Sequence, residues 1–250
     1  MGFDITYHPI TEDEISKWYF DVLEQPILTE TLGKEYNIDQ FYIDKYKKTI
    51  SVALQTENSE TFEKTHGYYI AVIQGFFRKF FYIRGAAFSF LIEQDSSYTR
   101  YTKGWETFIP AKYVNEKANR IVENYSSGVF IPADKVKELL ADYENNENIR
   151  KALNYFYSHS RITVFLEALK YSAENNLGLL EATEVMEPNP FDLNNSSCYS
   201  DLFNCDPSGA LLYREAALEQ IREIKGNENL TDSEIDSKVT YNRITPNEKF

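Results

Sequence analysis

The stretch GYYIAVIQGFF, residues 67–77, is the longest uncharged apolar run in the chain and constrains its fold most. The run is shorter than the about 20 residues that a transmembrane helix needs. Helical spacing of large apolar residues continues through Phe80 and Phe81, so apolar side chains would cover most of the helix circumference. Because a helix that is apolar all round is a buried one, the sequence predicts a central helix over 59–84, ended by Gly85.

Two segments have the two-residue period of a β-strand, in which successive side chains point to opposite faces. They are residues 3–10, FDITYHPI, and residues 179–187, LLEATEVME. Both are expected to belong to one small sheet. The sequence therefore predicts a predominantly helical α+β fold, with a central buried helix and a small sheet that includes the N-terminal strand.

Capping and spacing signals predict helices over much of the remaining chain. Thr11 and Glu14 form a capping-box pattern at the start of a helix that ends before Pro26. The segment 86–93, AAFSFLIE, fits a strand and a helix equally well. Further helices are predicted from Asn37 or Asp39 to Ala53, over 133–144, 147–158 and 160–175, and over 207–225.

A short internal echo occurs in the middle of the chain. TFIPAKYV at 107–114 is similar to VFIPADKV at 129–136. Each copy predicts a short strand, a proline near the first helical position and then a helix. Two copies are fewer than the about three repeats that a stacked array needs, so chance recurrence of a common strand-to-helix turn also explains the echo.

The length of 250 residues suits one large domain or two small ones, and the patterns above favour one. We predict a single globular domain over 1–226. Residues 227–250 are predicted to form a polar C-terminal extension, with a short helix capped by Thr231.

The charge balance constrains the partners of the protein. The chain contains 39 acidic and 26 basic residues, so its net charge is −13. This field repels nucleic acid, and it suits either plain solubility or a basic partner. The basic clusters at 45–48 and 78–84 are interpreted as cations that extend to solvent from helix edges. We therefore expect no nucleic-acid partner and consider a basic protein as the partner.

The cysteines and the N-terminus indicate the compartment. Cys198 and Cys205 are too few for a disulfide framework and are interpreted as reduced thiols. Residues 1–10 lack the basic segment of a signal peptide. We therefore expect a cytoplasmic protein that does not enter a membrane.

The sequence NCDPSGALLYRE, residues 204–215, nearly fits a calcium-binding loop, with Glu215 at the twelfth position. The alternative makes Asp206 the N-cap and Pro207 the first residue of the last helix. In a helix, Asp206 and Glu215 would be about 13 Å apart, too far to share one ion. The helical stripe that continues beyond Glu215 favours the helix start, and no metal is predicted.

Motifs of catalytic sites are absent from the sequence. The histidines His8, His66 and His159 form no pair with the spacing of metal ligands. No phosphate loop, dinucleotide fingerprint or nucleophile elbow occurs, so no cofactor is predicted. An enzyme is not favoured, although catalytic residues scattered along the sequence would leave no motif.

The longest irregular segment is 188–209, and long loops are often functional. Its part 188–206 interleaves aromatic rings with amides and carboxylates. We predict either a loop pinned by its own rings or a binding surface. The best functional hypothesis is a non-catalytic, acidic protein-binding protein of the inhibitor or immunity type. The alternative is an enzyme or small-ligand binder with a pocket at this loop. The candidate interaction residues are Asn194, Asn195, Tyr199, Asp201, Phe203 and Asn204.

Overall fold

A five-stranded sheet with helices against both of its faces organises the protein. The computed structural model describes residues 3–55, 66–107, 110–111 and 128–228. Within them the strands are β1 (Asp4–Ile10), β2 (Phe80–Arg84), β3 (Phe130–Ile131), β4 (Gly178–Thr183), β5 (Met186–Glu187), β6 (Ser197–Cys198) and β7 (Cys205–Asp206). The main sheet has the order β3-β4-β1-β2-β7, and β5 pairs with β6 separately.

Helices make up most of the remaining described chain, and the predicted fold class, a predominantly helical α+β fold, is confirmed. No helix in the described ranges combines the length and apolarity needed to cross a membrane. A π-helical turn, Ser16–Phe20, joins the first two helices. The helices are α1 (Glu12–Ile15), α2 (Asp21–Glu24), α3 (Leu28–Glu35), α4 (Gln40–Ala53), α5 (His66–Phe77), α6 (Phe88–Gln94), α7 (Ala133–Asn145), α8 (Glu147–Phe156), α9 (Arg161–Glu174) and α10 (Pro207–Glu228).

The predicted N-terminal strand is confirmed and lies at the centre of the sheet, where β1 pairs antiparallel with both β2 and β4. The predicted strand 179–187 is two strands. Its first part, β4, ends at Thr183, and Glu184 then adopts a positive φ of 61°. The chain leaves the main sheet at this residue, and β5 pairs with β6 in a separate two-stranded sheet.

Alternation along β1 divides the core into two layers. Ile5 and Tyr7 face the layer formed by α6 to α9, whereas Ile10 faces the layer formed by α1 to α5. The side chains of Thr6 and His8 share the side of Ile10, because alternate residues of a strand point to the same face. Both faces of the sheet are therefore covered by helices.

The predicted central helix is confirmed in its burial and corrected in its length. All residues of α5 from Gly67 to Phe76 are buried. The helix ends at Phe77, however, and the chain continues as β2, which pairs with β1. Phe81 and Ile83 of β2 join the layer of α6 to α9, whereas Phe80 and Tyr82 point to the other side and pack with Met186 and Ala210. Strand pairing therefore satisfies the backbone while every ring stays buried. Residues 59–65 of the predicted helix lie outside the described residues.

The capping signals were accurate where the structure describes them. Thr11 and Glu14 form a complete capping box, and Asp39 caps α4. The ambiguous segment 86–93 contains α6, and the sequence patterns missed α3. The second copy of the echo is β3 followed by α7. Most of the first copy and the tail beyond 228, including Thr231, lie outside the described residues.

The segment 188–209 is less irregular than predicted. It contains 3₁₀ turns at Leu193–Asn195 and Leu202–Asn204, the strand β6, and β7, which runs parallel to β2. At the start of α10, Ser208 N donates to Asp206 Oδ1 at 3.0 Å, so Asp206 caps the helix as predicted. Gly209 packs directly on the backbone of Tyr82, leaving no room for a Cβ atom.

Candidate functional site

The loop 188–206 is held against α5 by side-chain hydrogen bonds to the helix backbone. The Ser200 hydroxyl donates to Val72 O at 2.6 Å, and Asn204 Nδ2 donates to Gly75 O at 3.0 Å. Gly75 has no side chain, and a Cβ atom there would lie only 3.0 Å from the Cβ of Ser200. The loop therefore docks where α5 lacks a side chain.

Lys45 of α4 holds the same loop from the other side. Its Nζ donates to Cys198 O at 3.3 Å and to Ser200 O at 3.1 Å. The ammonium group also lies over the rings of Phe41 and Tyr42, at 5.6 Å and 5.7 Å from their centroids. Burial lowers the pKa of Lys45, and the negative charge of Asp201 opposes that change.

The structure separates the predicted interaction residues into three groups. Asn194 and Asn195 lie in the first 3₁₀ turn, where Asp192 accepts from Asn194 N at 3.1 Å and from Asn195 Nδ2 at 2.6 Å. Tyr199 and Asn204 contact the protein interior, since Tyr199 lies 6.1 Å from the ring of Tyr68 and Asn204 bonds to α5. Asp201 and Phe203 lie together on the outer side of the loop.

An exposed patch forms where this outer side meets α4, and we call Phe41, Tyr42, Asp201 and Phe203 the aromatic–acidic surface. Asp201 Oδ1 accepts from Phe203 N at 2.9 Å. Burial and a hydrogen bond with Asp201 raise the pKa of Tyr42, and the Tyr42 ring contacts Phe41 at 5.2 Å. The Phe203 side chain is 87% exposed and that of Phe41 is 63% exposed. Sequence reasoning had proposed Asp201 and Phe203 but not Phe41, which lies on a predicted helix.

A cavity of about 270 Å³ opens beside the inner side of the loop. In the sequence, the residues around this cavity appear only as apolar stripes on the helices α4 and α5. Ordinary core helices have the same stripes, so the sequence does not distinguish the cavity from core. The alternative hypothesis of a small-ligand pocket at the loop depends on this cavity. Its lining residues are Lys45, Lys48, Thr49, Val52, Tyr68, Tyr69, Val72 and Tyr199.

His8 is buried on the sheet face that α5 covers. Its Nδ1 lies 2.7 Å from Gln74 Oε1, and its Nε2 lies 2.9 Å from the Thr6 hydroxyl. Because Gln74 Nε2 donates to Pro9 O and to Lys79 O, the amide oxygen accepts and His8 Nδ1 carries the proton. Burial lowers the pKa of His8 to about 3, so the ring is neutral, and its Nε2 and Ala182 O both lie within hydrogen-bond distance of the Thr6 hydroxyl, which has one proton to donate.

Glu181 is buried on the opposite face of the sheet. Its carboxylate accepts hydrogen bonds from Phe88 N, from Ser89 N at 3.3 Å and from the Tyr7 hydroxyl at 2.9 Å. The Tyr7 hydroxyl also lies 2.8 Å from that of Tyr157. Burial raises the pKa of Glu181, although these donors oppose the change. The network occupies closed core and adjoins none of the cavities described for this protein.

Neither a metal centre nor a reactive thiol is assembled by the residues that the structure describes. No three His, Cys, Asp or Glu side chains among them converge as a metal-binding group. Cys198 and Cys205 are free, and burial raises the pKa of both thiols, that of Cys198 to about 11. Such thiols are poor nucleophiles at neutral pH, because the thiolate is the reactive form.

Comparisons with known proteins do not connect the chain to a family. No family model, no curated protein and no solved structure matches it. The chemistry of the surface and of the cavity is therefore the basis for assigning a function.

Proposed function

We propose that this protein is a non-catalytic binding protein that engages a basic protein through the aromatic–acidic surface, as inhibitors and immunity-type proteins do. The observation that supports the proposal is the exposed ring of Phe203 on a loop that is itself fixed by hydrogen bonds. A phenylalanine side chain that stays exposed to water lacks the roughly 2–3 kcal/mol of stabilisation that its burial would contribute. Single exposed rings are common, but here Phe41 adds a second exposed ring next to Tyr42, which bonds to Asp201.

Local charge supports a basic partner. Between residues 184 and 206 the chain contains acidic residues and no Lys, Arg or His. This segment therefore adds to the overall charge of −13 at the place where the apolar rings are exposed. Complementary charge speeds the encounter of two proteins and selects against acidic competitors. The acidic residues are Glu184, Glu187, Asp192, Asp201 and Asp206.

Because the loop is already fixed in place, binding a partner would cost little conformational entropy. Ser200 and Asn204 attach the loop to α5, and Lys45 attaches it to α4. A surface that is ordered before association loses less conformational entropy when a partner arrives. Phe203 is therefore presented by a preformed scaffold.

The proposal is tested by affinity capture with three forms of the protein: the wild type, Phe203→Ser and Tyr155→Ser. Tyr155 is a matched control, because it is 86% exposed on α8 and outside the aromatic–acidic surface. We expect the wild type and the control to retain a basic protein that Phe203→Ser releases. With the purified partner, Phe203→Ser should weaken binding about thirtyfold, the effect of an interface hot spot.

The second measurement is the dependence of the association rate on salt concentration. Exposed charges are screened within about 10 Å at 0.1 M salt, so the association rate should fall as salt rises. A captured protein that is acidic, or one that binds Phe203→Ser as well as the wild type, would contradict the proposal. Thermal melting of each variant shows whether a loss of binding reflects a loss of folding.

A further inference from the structure

The cavity beside Tyr199 has the chemical character of a ligand site rather than of a packing defect. Valines and tyrosine rings from α4, α5 and the loop form most of its wall. Its volume of about 270 Å³ is near the lower limit of small-molecule pockets. Since water occupies about 30 Å³ per molecule in the liquid, the cavity could hold a compound of about ten heavy atoms.

The cation of Lys45 lies in this wall beside Lys48 and Thr49, and no carboxylate of the described residues forms an ion pair with it. Its Nζ donates to the two loop carbonyls. An ammonium group carries three N–H donors, so one remains for a further acceptor. Partly buried charges are normally paired, because removing a charge from water is costly.

Other lysines of the protein differ from Lys45 because they form ion pairs. Lys17, Lys34 and Lys47 are far more exposed, yet each forms an ion pair with a carboxylate, at 3.5 Å, 2.8 Å and 2.7 Å. Pairing contributes least at such exposed positions. Lys45 would gain most from a carboxylate in direct contact, but among the described residues only the more distant charge of Asp201 acts on it.

We propose that the cavity binds a small monocarboxylic acid with an apolar body, such as a medium-chain fatty acid or a phenylalkanoic acid. The carboxylate accepts the remaining N–H of Lys45 in a charge-assisted hydrogen bond. The apolar body packs between Val52, Val72 and the tyrosine rings. The cavity lies on the inner side of the loop and the aromatic–acidic surface on its outer side, and Lys45 adjoins both.

The test compares acids with neutral molecules of the same shape. Isothermal calorimetry would measure binding of octanoate and 3-phenylpropionate, and of 1-octanol and 3-phenylpropanol, to the full chain. We expect each acid to bind about tenfold more tightly than its alcohol, the effect of one charge-assisted hydrogen bond. In Lys45→Met this preference should disappear. Lys47→Met is the matched control, because Lys47 lies on the same helix and pairs with Glu30, and it should keep the preference.

A second variant separates ligand binding from attachment of the loop. Lys45→Met also removes two hydrogen bonds to the loop, whereas Val52→Trp fills the cavity and leaves those bonds in place. Val52→Trp should melt near the wild-type temperature and should bind neither acid. The proposal is overturned if the wild type binds neither acid at about 10 mM. It is also overturned if Val52→Trp still binds them, or if Lys45→Met keeps the preference for the acids.

Discussion

The two faces of the sheet each bury one titratable side chain, and the two side chains are held in opposite ways. His8 is surrounded by uncharged side-chain partners, Gln74 and Thr6, and remains a neutral base. Glu181 is held mainly by backbone N–H groups and the Tyr7 hydroxyl. The face with His8 also carries the loop and the cavity beside it, whereas Glu181 lines none of the cavities described for this protein. A buried base and a buried acid make the stability depend on pH with opposite signs.

The signs follow from the direction of each change in pKa. The folded-state pKa of His8 is lowered to about 3 from an ordinary 6.5, so its contribution is complete above 6.5 and is lost as pH falls towards 3. The folded-state pKa of Glu181 is raised above its ordinary 4.5, so the folded state binds that proton more strongly. Its contribution therefore decreases as pH rises through the window above 4.5.

The largest expected effect concerns the buried carboxylate. Glu181→Ala removes the carboxylate that accepts from Phe88 N, Ser89 N and the Tyr7 hydroxyl, and it opens a void in the core. We expect the free energy of unfolding to fall by about 3–5 kcal/mol, measured by urea denaturation. Glu181→Gln keeps one acceptor oxygen and nearly the same shape, so it should cost less. A loss below about 1 kcal/mol for the alanine variant would mean that the network contributes little.

The next effect concerns the buried base. His8→Leu cannot take up a proton, so it should lose less stability than the wild type when the pH is lowered from 7 to about 4.5. The difference between the two acid-induced losses should be about 2–3 kcal/mol, because the window lies between the folded and unfolded pKa values of His8. Comparing the two losses cancels the titration of the many surface carboxylates. Parallel pH profiles would show that His8 is not the group responsible.

A smaller effect is expected where the loop meets α5. Gly75→Ala places a Cβ atom against Ser200 and should displace the loop, at a cost of about 1–3 kcal/mol. Ser200→Gly removes the clashing atoms, so the double variant should recover part of that loss. A double-mutant cycle of unfolding free energies measures this coupling. Strict additivity of the two single variants would contradict the close contact.

The smallest effect is expected at the aromatic–acidic surface. Phe203→Ala removes a ring that contacts mainly solvent, so the free energy of unfolding should change by less than about 0.5 kcal/mol. Phe80→Ala provides the contrast, because that ring is fully buried and stacked on His8, and its loss should cost about 3–5 kcal/mol. A comparable loss of stability for both variants would mean that Phe203 serves the scaffold.

The sequence predicted elements whose signals are local. The alternation of residues 3–10 gave β1, and the oxygen atoms of Thr11 and Asp39 marked two helix starts. The strand β2 was missed because Arg78 and Lys79 do not break a helix, and the apolar spacing continues across them. Pairing with β1, which lies far away in sequence, decides that segment.

The candidate site was predicted only in part for the same reason. The loop was visible from its composition, and Phe203 and Asp201 were proposed from it. Its attachment points, Gly75 and Lys45, lie on helices more than a hundred residues earlier, and no local pattern connects them to the loop. The cavity likewise exists only where α4, α5 and the loop meet, so its lining resembles ordinary core in the sequence.

The contact between Gly209 and the backbone of Tyr82 has a consequence for how this chain can diverge during evolution. Any side chain at position 209 would force α10 away from β2, and no change at Tyr82 could relieve this, because the obstructing atoms belong to the backbone. Substitutions elsewhere in the loop can be accommodated by new side chains. Descendants of this sequence are therefore expected to vary at the exposed Phe203, and to inherit Gly209 for as long as they keep this fold.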